Sequence, residues 1–456
     1  MKRGHDLTPW LVYPAQRLRR RARRLTPPQA LLLSYAGLAV AGMLLLKLPA
    51  ASQASTSWLQ ALFTAVSAAT ITGLTVVDIS HQFTVFGQLV LLLLMQLGGL
   101  GLLTFGIFIL HVSSGRLRLR DRAALRDAFS HGGGDIRALL RTMVGFVLVM
   151  ETLGSLLLAL HWVPQLGWSR GLFYSVFHAV SAFNNVGFTL TEGGLIGYVG
   201  NPLVNTVISI LFITGGIGFV VISDVRGKRR FADFSLHTKL MLVGTVLLNL
   251  LAMGTLLALE YGNPRTLGGL PDLATRLWAA WFQAVTPRSA GLSTVDIGGL
   301  LPASALFMMV LMFIGAGSGS TGGGIKLSTF IILLVATRAF MQQRAQPVVF
   351  GRSIDAGTVQ KALAVTIIAV LLAVLATFLL LLTETHSFLD LAFEAVSALS
   401  TVGLSRDITP TLSVPGQWLI MLLMLVGRVG PLTLVFIIAH PHGASVRYPA
   451  APVLVG

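Results

Sequence analysis

Three observations predict an all-α polytopic membrane protein of four parallel repeats, with eight spans and four short re-entrant helices about a pseudo-fourfold axis. The composition is that of a membrane-embedded chain, one short phrase recurs four times, and basic residues gather between the recurrences. Of the 456 residues, 54% are hydrophobic and 11% charged, with a mean hydropathy of +0.80. A soluble domain carries roughly 25% charged residues. Apolar runs such as 89–95 and 367–382 recur along the chain, and a span needs about 20 mostly apolar residues. No separate soluble domain stands out. The absence of cysteine excludes disulfide frameworks and thiolate metal sites.

The phrase reads Phe63-Thr-Ala-Val-Ser67 leading to Gly73, then Phe177-His-Ala-Val-Ser181 leading to Gly187. It returns as Phe282-Gln-Ala-Val-Thr286 leading to Gly291 and Phe393-Glu-Ala-Val-Ser397 leading to Gly403. Leu or Phe follows each glycine, and the glycines stand 114, 104 and 112 residues apart. A period this regular marks a repeated architecture. The formal net charge of +16 does not point to nucleic acid. Of the 33 Lys and Arg, 25 lie in 2–24, 116–141, 226–239, 338–361 and at Arg447. These are the tails and the connections between repeats, which the positive-inside rule puts in the cytoplasm.

Each repeat reads as span, short helix, loop, span. In the first, 30–48 is long enough to cross, and it carries no small-residue cleavage site, so it reads as a span rather than a signal peptide. Residues 49–57 connect, 58–70 form an apolar helix too short to cross, 70–75 form a loop, and 88–111 cross again. The other first spans fall at 139–160, 239–259 and 361–382, and the other second spans at 204–223, 305–337 and 418–440. The expected organisation is a basic cytoplasmic tail 1–29, repeats at 30–111, 139–223, 239–337 and 361–440, cytoplasmic loops at 112–138, 224–238 and 338–360, and a cytoplasmic tail 441–456. Two crossings return the chain to its starting side, so all four repeats share one orientation and are parallel rather than inverted.

Non-helical backbone inside a bilayer is tolerated only where protein buries it or where it lines a water-filled path. Four such loops on one axis can turn carbonyl oxygens inward to replace the water shell of an alkali cation. Glycine at Gly73, Gly187, Gly291 and Gly403 allows backbone that a Cβ would forbid. The carbonyls would come from Thr70, Ile71 and Thr72, from Asn184, Asn185 and Val186, from Arg288, Ser289 and Ala290, and from Ser400, Thr401 and Val402. A single copy would read as a helix-ending glycine; four copies at matching places favour the filter. Asp78, Glu192 and Asp296 lie five residues after their glycines and Asp407 four after. They would either form an outer ring that concentrates cations or cap the next segment.

The segments Asn184-Asn-Val-Gly-Phe188, Thr286-Pro-Arg-Ser-Ala-Gly-Leu292, Ser400-Thr-Val-Gly-Leu404 and Gly317-Ser-Gly-Ser-Thr-Gly-Gly-Gly-Ile-Lys326 resemble the Trk/Ktr/HKT superfamily of potassium transporters, across about residues 30–440. Eight spans behind a short basic tail are most similar to its KtrB-type membrane subunits. The resemblance implies multi-pass potassium uptake in the bacterial inner membrane, a homodimer in lipid, and gating by a cytosolic RCK-type, KtrA-like subunit. It also implies that the nucleotide sits on that partner, that this chain holds no cofactor beyond the transported K+ or Na+, and that sodium stimulates uptake, as in Ktr systems. Gly73 occupies the place where sodium-transporting plant relatives carry serine, which favours potassium.

The second span of repeat three contains Gly315, Gly317, Gly319, Gly322, Gly323 and Gly324. Each costs roughly 1 kcal/mol relative to alanine in a helix, so this span is expected to unwind, and only this one is expected to break strongly. The resemblance implies an intramembrane gate here, below the filter, with Arg428 against it. Arg428 would otherwise tie to backbone carbonyls or a carboxylate, and Lys326 is open to the same two readings. A phosphate loop is excluded because Ile325 separates Gly324 from Lys326 and no strand precedes the run. Gly98, Gly99, Gly101, Gly215, Gly216 and Gly218 fit close helix packing or bending. Glu151, near mid-span, is a pairing candidate without an assigned transport role. No H-E-x-x-H, G-x-S-x-G or paired intramembrane carboxylates suggest an enzyme. The competing class is an alternating-access sodium or potassium symporter, which calls for inverted repeats and broken helices near the midplane.

Overall fold

The computed structural model describes residues 27–112 and 136–430. The expected tails, most of the loop 112–138 and the end of the last span lie outside those residues. Repeat one comprises α1 (Pro27–Leu46), α2 (Trp58–Ala69), the four-residue α3 (Ile79–Gln82) and α4 (Val85–Val112). Repeat two comprises α5 (Ile136–Leu166), α6 (Trp168–Phe183), α7 (Pro202–Ile217) and α8 (Phe219–Gly227). Repeat three comprises α9 (Leu236–Glu260), α10 (Leu273–Val285), α11 (Pro302–Ile314) and α12 (Leu327–Met341). A small antiparallel pair, β1 (Val348–Val349) and β2 (Arg352–Ser353), precedes repeat four, which comprises α13 (Ala356–Thr383), α14 (Phe388–Leu399) and α15 (Val414–Val429).

Short polar side chains start several of these helices. Ser57 and Gln60 form a reciprocal capping box at α2, and Asp272, Asp355 and Ser387 cap α10, α13 and α14. Each satisfies a backbone N–H that would otherwise lack an intrahelical acceptor. At α2, α10, α13 and α14 these caps fix where the helix begins. The helices run past the expected spans at several ends: α5 begins at Ile136, α8 runs to Gly227, α12 to Met341, and α13 begins at Ala356.

Among the described residues, α1, α5, α9 and α13 are by themselves long and apolar enough to cross a bilayer, and only 22–33% of each apolar window is buried. Their outward faces carry Leu44, Leu153, Leu251 and Leu371, all exposed. A contiguous apolar exterior of this extent marks a lipid-facing surface.

The interior is assembled between repeats. The second helix of each repeat packs on the short helix of the next: α4 on α6, α7 on α10, α11 on α14, and α15 back on α2. The four phrase phenylalanines fill these seams, and each is fully buried. Phe177 packs among Leu91 and Leu94 of α4. Phe282 meets Phe212 of α7 edge-on at 5.8 Å. Phe393 joins Met308 and Leu311 of α11, and Phe63 joins Ile420 and Met424 of α15. The contacts close into a ring, and the phrase alanines let the helices approach.

One expectation fails. The segment expected as the second span of repeat two is also broken, α7 and α8 meeting at 94° across Gly218. Gly218 lies at φ +103°, and a Cβ there would come within 2.5 Å of the Ser318 carbonyl. Gly317 N–H donates to Gly216 O at 2.8 Å and Phe219 N–H to Gly319 O at 3.1 Å. The two broken segments thus satisfy each other's freed backbone groups, a pairing that neither segment reveals alone.

Candidate functional site

The phrase serine or threonine is the local cause of each loop. After α2, α6 and α14 end, the chain turns back and an N–H returns to the phrase residue's carbonyl. Thr72 N–H donates to Ser67 O, Val186 N–H to Ser181 O and Val402 N–H to Ser397 O, each at 2.9 Å. In the shorter third copy Ala290 N–H donates to Thr286 O at 3.0 Å. The residue two before each glycine is forced to positive φ: Ile71 at +56°, Asn185 at +59°, Ser289 at +79° and Thr401 at +48°. Each such non-glycine residue costs of order 1–3 kcal/mol. Four at equivalent places mean that the surrounding bonds hold a backbone shape the chain would not take alone.

The glycines then meet around one axis, with φ between +68° and +91°. A Cβ on Gly73 would strike the Val186 carbonyl oxygen. One on Gly187 would lie 2.9 Å from Ala290 O, one on Gly291 would strike Val402 O, and one on Gly403 would strike Thr72 O. The cycle runs through all four repeats and returns to its start. It brings four carbonyl oxygens, from Thr72, Val186, Ala290 and Val402, against the neighbouring glycines. An array of carbonyl dipoles of this kind can replace the hydration shell of a cation and offers nothing to an anion.

The other expected carbonyl donors differ among themselves. Thr401 O accepts from Ser289 Oγ at 2.8 Å, and the same Ser289 Oγ accepts from Gly323 N–H at 3.1 Å. Ser289 therefore links two loops to the glycine-rich break. The Arg288 side chain turns away to Thr245 Oγ1 at 3.4 Å. Asn184 points behind the loop, to Gln96 and Glu151.

Beneath the loops, residues 315–326 lie outside any helix. Gly315, Gly319 and Gly324 have φ of +54°, +69° and +72°. Gly322 and Gly323 press against Ser289, Ser400 and Thr401, leaving no room for side chains. Lys326 Nζ folds back on its own segment, donating to Gly322 O at 2.7 Å. Arg428 is 5% exposed. It donates to Thr321 O in the break, to Gly98 O at 2.6 Å and to the Tyr35 hydroxyl at 3.0 Å. It thereby ties the break to repeat one, and its neighbours are carbonyls rather than a carboxylate. Gly98, Gly215 and Gly427 occupy matching places: a Cβ on each would strike the carbonyl of Ala69, Phe183 or Leu399 at the end of a short helix.

The outer acids do not stand as four free charges. Asp78 caps α3, accepting from Ser80 N–H at 2.8 Å and its hydroxyl at 2.7 Å. Glu192 meets His81 at 2.7 Å, an ion pair when that histidine is protonated. Asp296 pairs with Arg265 at 3.1 Å. Burial and then the charge of Asp296 hold the Asp407 carboxyl above its ordinary range. Arg265 and Arg406 escape sequence reasoning because neither belongs to the phrase. Arg406 pairs with Asp390 at 2.6 Å and donates to the carbonyls of Ile297, Gly298 and Leu300.

The TrkH family, described as cation transport proteins, matches residues 30–448. The chain is 46% identical to the Ktr system potassium uptake protein B of Bacillus subtilis, over 95% of this chain and 97% of that relative. It is 42% identical to the protein of the same name from Vibrio alginolyticus, over 94% and 95%, and 34% identical to the potassium/sodium uptake protein NtpJ of Enterococcus hirae, over 95% and 98%. The crystal structure of the potassium transporter TrkH from Vibrio parahaemolyticus has a similar fold, with a TM-score of 0.70 at 19% identity, covering 92% of this chain and 87% of that one. The chain therefore belongs to the TrkH family of cation transport proteins, which are membrane transporters and not enzymes.

Proposed function

We propose that this chain is the membrane subunit of a potassium uptake system, with the four phrase loops as its selectivity filter. The observation that carries this reading is the cycle of four glycines, each against the carbonyl of the residue before the next. Relatives named for potassium uptake, at 46% and 42% identity along nearly the whole chain, support the choice of ion. The relative named for potassium and sodium supports keeping sodium as a second ion or a stimulator.

In this reading the chain crosses the plasma membrane eight times as four parallel repeats about a pseudo-fourfold axis, at the repeat boundaries set out from the sequence. Potassium sheds its water against the carbonyls of residues 70–72, 184–186, 288–290 and 400–402 and moves inward. A negative interior assists by about 2.3 kcal/mol per charge per 100 mV. Residues 315–326, with Lys326 and Arg428, act as the gate. The gate's backbone bonds to Ser289 and to the α7–α8 break give it a route by which cytosolic movement reaches the filter. A cytosolic RCK-type subunit carrying the nucleotide sets the open fraction, and two copies of the chain assemble in the membrane. Asp78, Glu192, Asp296 and Asp407 supply negative potential outside the filter, reduced where His81 and Arg265 pair with them.

The alternating-access reading loses one of its counterarguments, because two second spans break rather than one. The breaks pair with each other under the loops, however, and the four short helices keep one sense around the ring. The test is rubidium uptake and growth at low potassium in a bacterium that lacks its own potassium uptake, with an RCK partner co-expressed. Wild type should rescue growth and Gly291→Ser should lose affinity or selectivity. No uptake by wild type, even with 315–324 shortened, contradicts the potassium reading.

A further inference from the structure

The filter loops repeat, but what stands behind them does not. In repeats two and three the residue three before the filter glycine is long and polar, and it is bonded to the first helix of its own repeat. Asn184 Nδ2 donates to Glu151 Oε1 of α5 at 3.0 Å, and Arg288 donates to Thr245 of α9 at 3.4 Å. In repeats one and four the equivalent residues are Thr70 and Ser400; Thr70 bonds only within its own segment, to Val66 O and the Thr72 hydroxyl.

The tie in repeat two reaches further. Gln96 of α4, in repeat one, accepts from Asn184 Nδ2 at 2.9 Å and donates to Glu151 Oε2 at 3.2 Å. The three side chains close a triangle across the seam between repeats. Asn184 is fully buried and Glu151 is 7% exposed. A Cβ on Gly99 would collide with Asn184 Oδ1, so the absence of a side chain there makes room for the triangle. A carboxyl in the middle of a span is costly and is kept where it serves a specific purpose. Its partners here are two amides, not a cation, and one of them begins the Asn184–Gly187 segment.

We propose that Glu151 is a positioning residue for ion selection: through Asn184 it fixes the second filter loop and so the place of the Val186 carbonyl on the axis. Asn185 sits at positive φ directly after Asn184, and an anchor at that point resists relaxation of the loop. The inference rests on the potassium-filter reading and adds to it a residue outside the phrase.

The test compares Glu151→Ala, Glu151→Gln and the lipid-facing control Leu148→Ala in the same uptake-deficient host, with protein in the membrane quantified for each. Glu151→Ala should raise the rubidium half-saturation concentration about tenfold and lower discrimination against sodium about tenfold, the scale of one buried polar group left unsatisfied. Glu151→Gln keeps one oxygen for Asn184 and should fall between it and wild type. A purely structural role would reduce membrane protein and maximal rate and leave half-saturation and discrimination unmoved. Wild-type half-saturation and discrimination in both variants would overturn the proposal. Should Glu151→Ala be missing from the membrane, the isosteric Glu151→Gln decides by the same two numbers. An inactive wild type would instead bring down the potassium reading on which the proposal stands, so the two failures are distinct.

Discussion

Repeats one and four hold their phrase loops differently from repeats two and three. In the first pair, the phrase serine hydroxyl accepts directly from the phrase glycine: Gly73 N–H to Ser67 Oγ at 3.0 Å and Gly403 N–H to Ser397 Oγ at 3.1 Å. In the second pair, the hydroxyl instead donates to the carbonyl just after the glycine. Ser181 Oγ reaches Phe188 O at 2.8 Å, and Thr286 Oγ1 reaches Leu292 O at 2.5 Å. There further support comes from side chains that bond the loop to the first helix of its repeat, Asn184 to Glu151 and Arg288 to Thr245. One backbone shape is thus built by two sets of bonds. A fourfold ring of carbonyls requires only that the backbone repeat, which leaves the surroundings free to differ.

Both pairs share the ring itself, and the largest effects are expected there. Gly403→Ala forces a Cβ onto the Thr72 carbonyl at positive φ. Strain of about 2–3 kcal/mol corresponds to roughly a hundredfold loss of rubidium uptake at low concentration. Gly73→Ala should lose as much, measured as initial rate per amount of membrane protein. An unaffected variant in either repeat would remove the ring from the account. Arg428→Ala is next. It releases the break from Gly98 and repeat one, so uptake without the RCK partner should rise about tenfold. The folded state should lose about 2–3 kcal/mol, read as a lower Tm in detergent, since hydrogen bonds from a charged group are lost.

The serines sharpen the difference between pairs. Ser67→Ala and Ser397→Ala leave a part-buried glycine N–H without its acceptor and should raise half-saturation about tenfold. Ser181→Ala, where Glu151 and Asn184 still hold the loop, should raise it only about threefold. Equal effects would erase the distinction. The smallest effect is expected outside. Asp407 is protonated at pH values where an ordinary aspartate is charged, and it gains charge only as pH rises through its raised value. Its contribution to stability is therefore full below the ordinary aspartate range and is lost as pH rises through the raised value. Charging it should deepen the outer potential and lower rubidium half-saturation about twofold over that rise. Asp407→Asn should flatten the profile.

Much of this was legible in the residues. The phrase located α2, α6, α10 and α14, the loops after them and the glycines of the ring, because each copy needs the same local code. The six glycines of 315–324 located the first break. The second break, at Gly218, was visible only as a glycine cluster, since its bend depends on pairing with a segment about a hundred residues away. The Glu151–Asn184–Gln96 triangle and the Arg406–Asp390 pair were equally hidden. Each joins residues whose spacing follows no period, and only the packed seams bring them together. The hairpin at 348–353 was missed because two-residue strands leave no alternation to read.

In the proposed filter, the carbonyls of Thr72, Val186, Ala290 and Val402 hold a dehydrated alkali cation. The direct measurement is a crystal structure of the purified protein in rubidium, with anomalous scattering used to find the ion. Rubidium on the axis between those four carbonyls is the predicted result. Rubidium elsewhere, such as between the α7–α8 break and residues 315–326 with the ring empty, would contradict the filter and favour a carrier that binds its ion at broken helices.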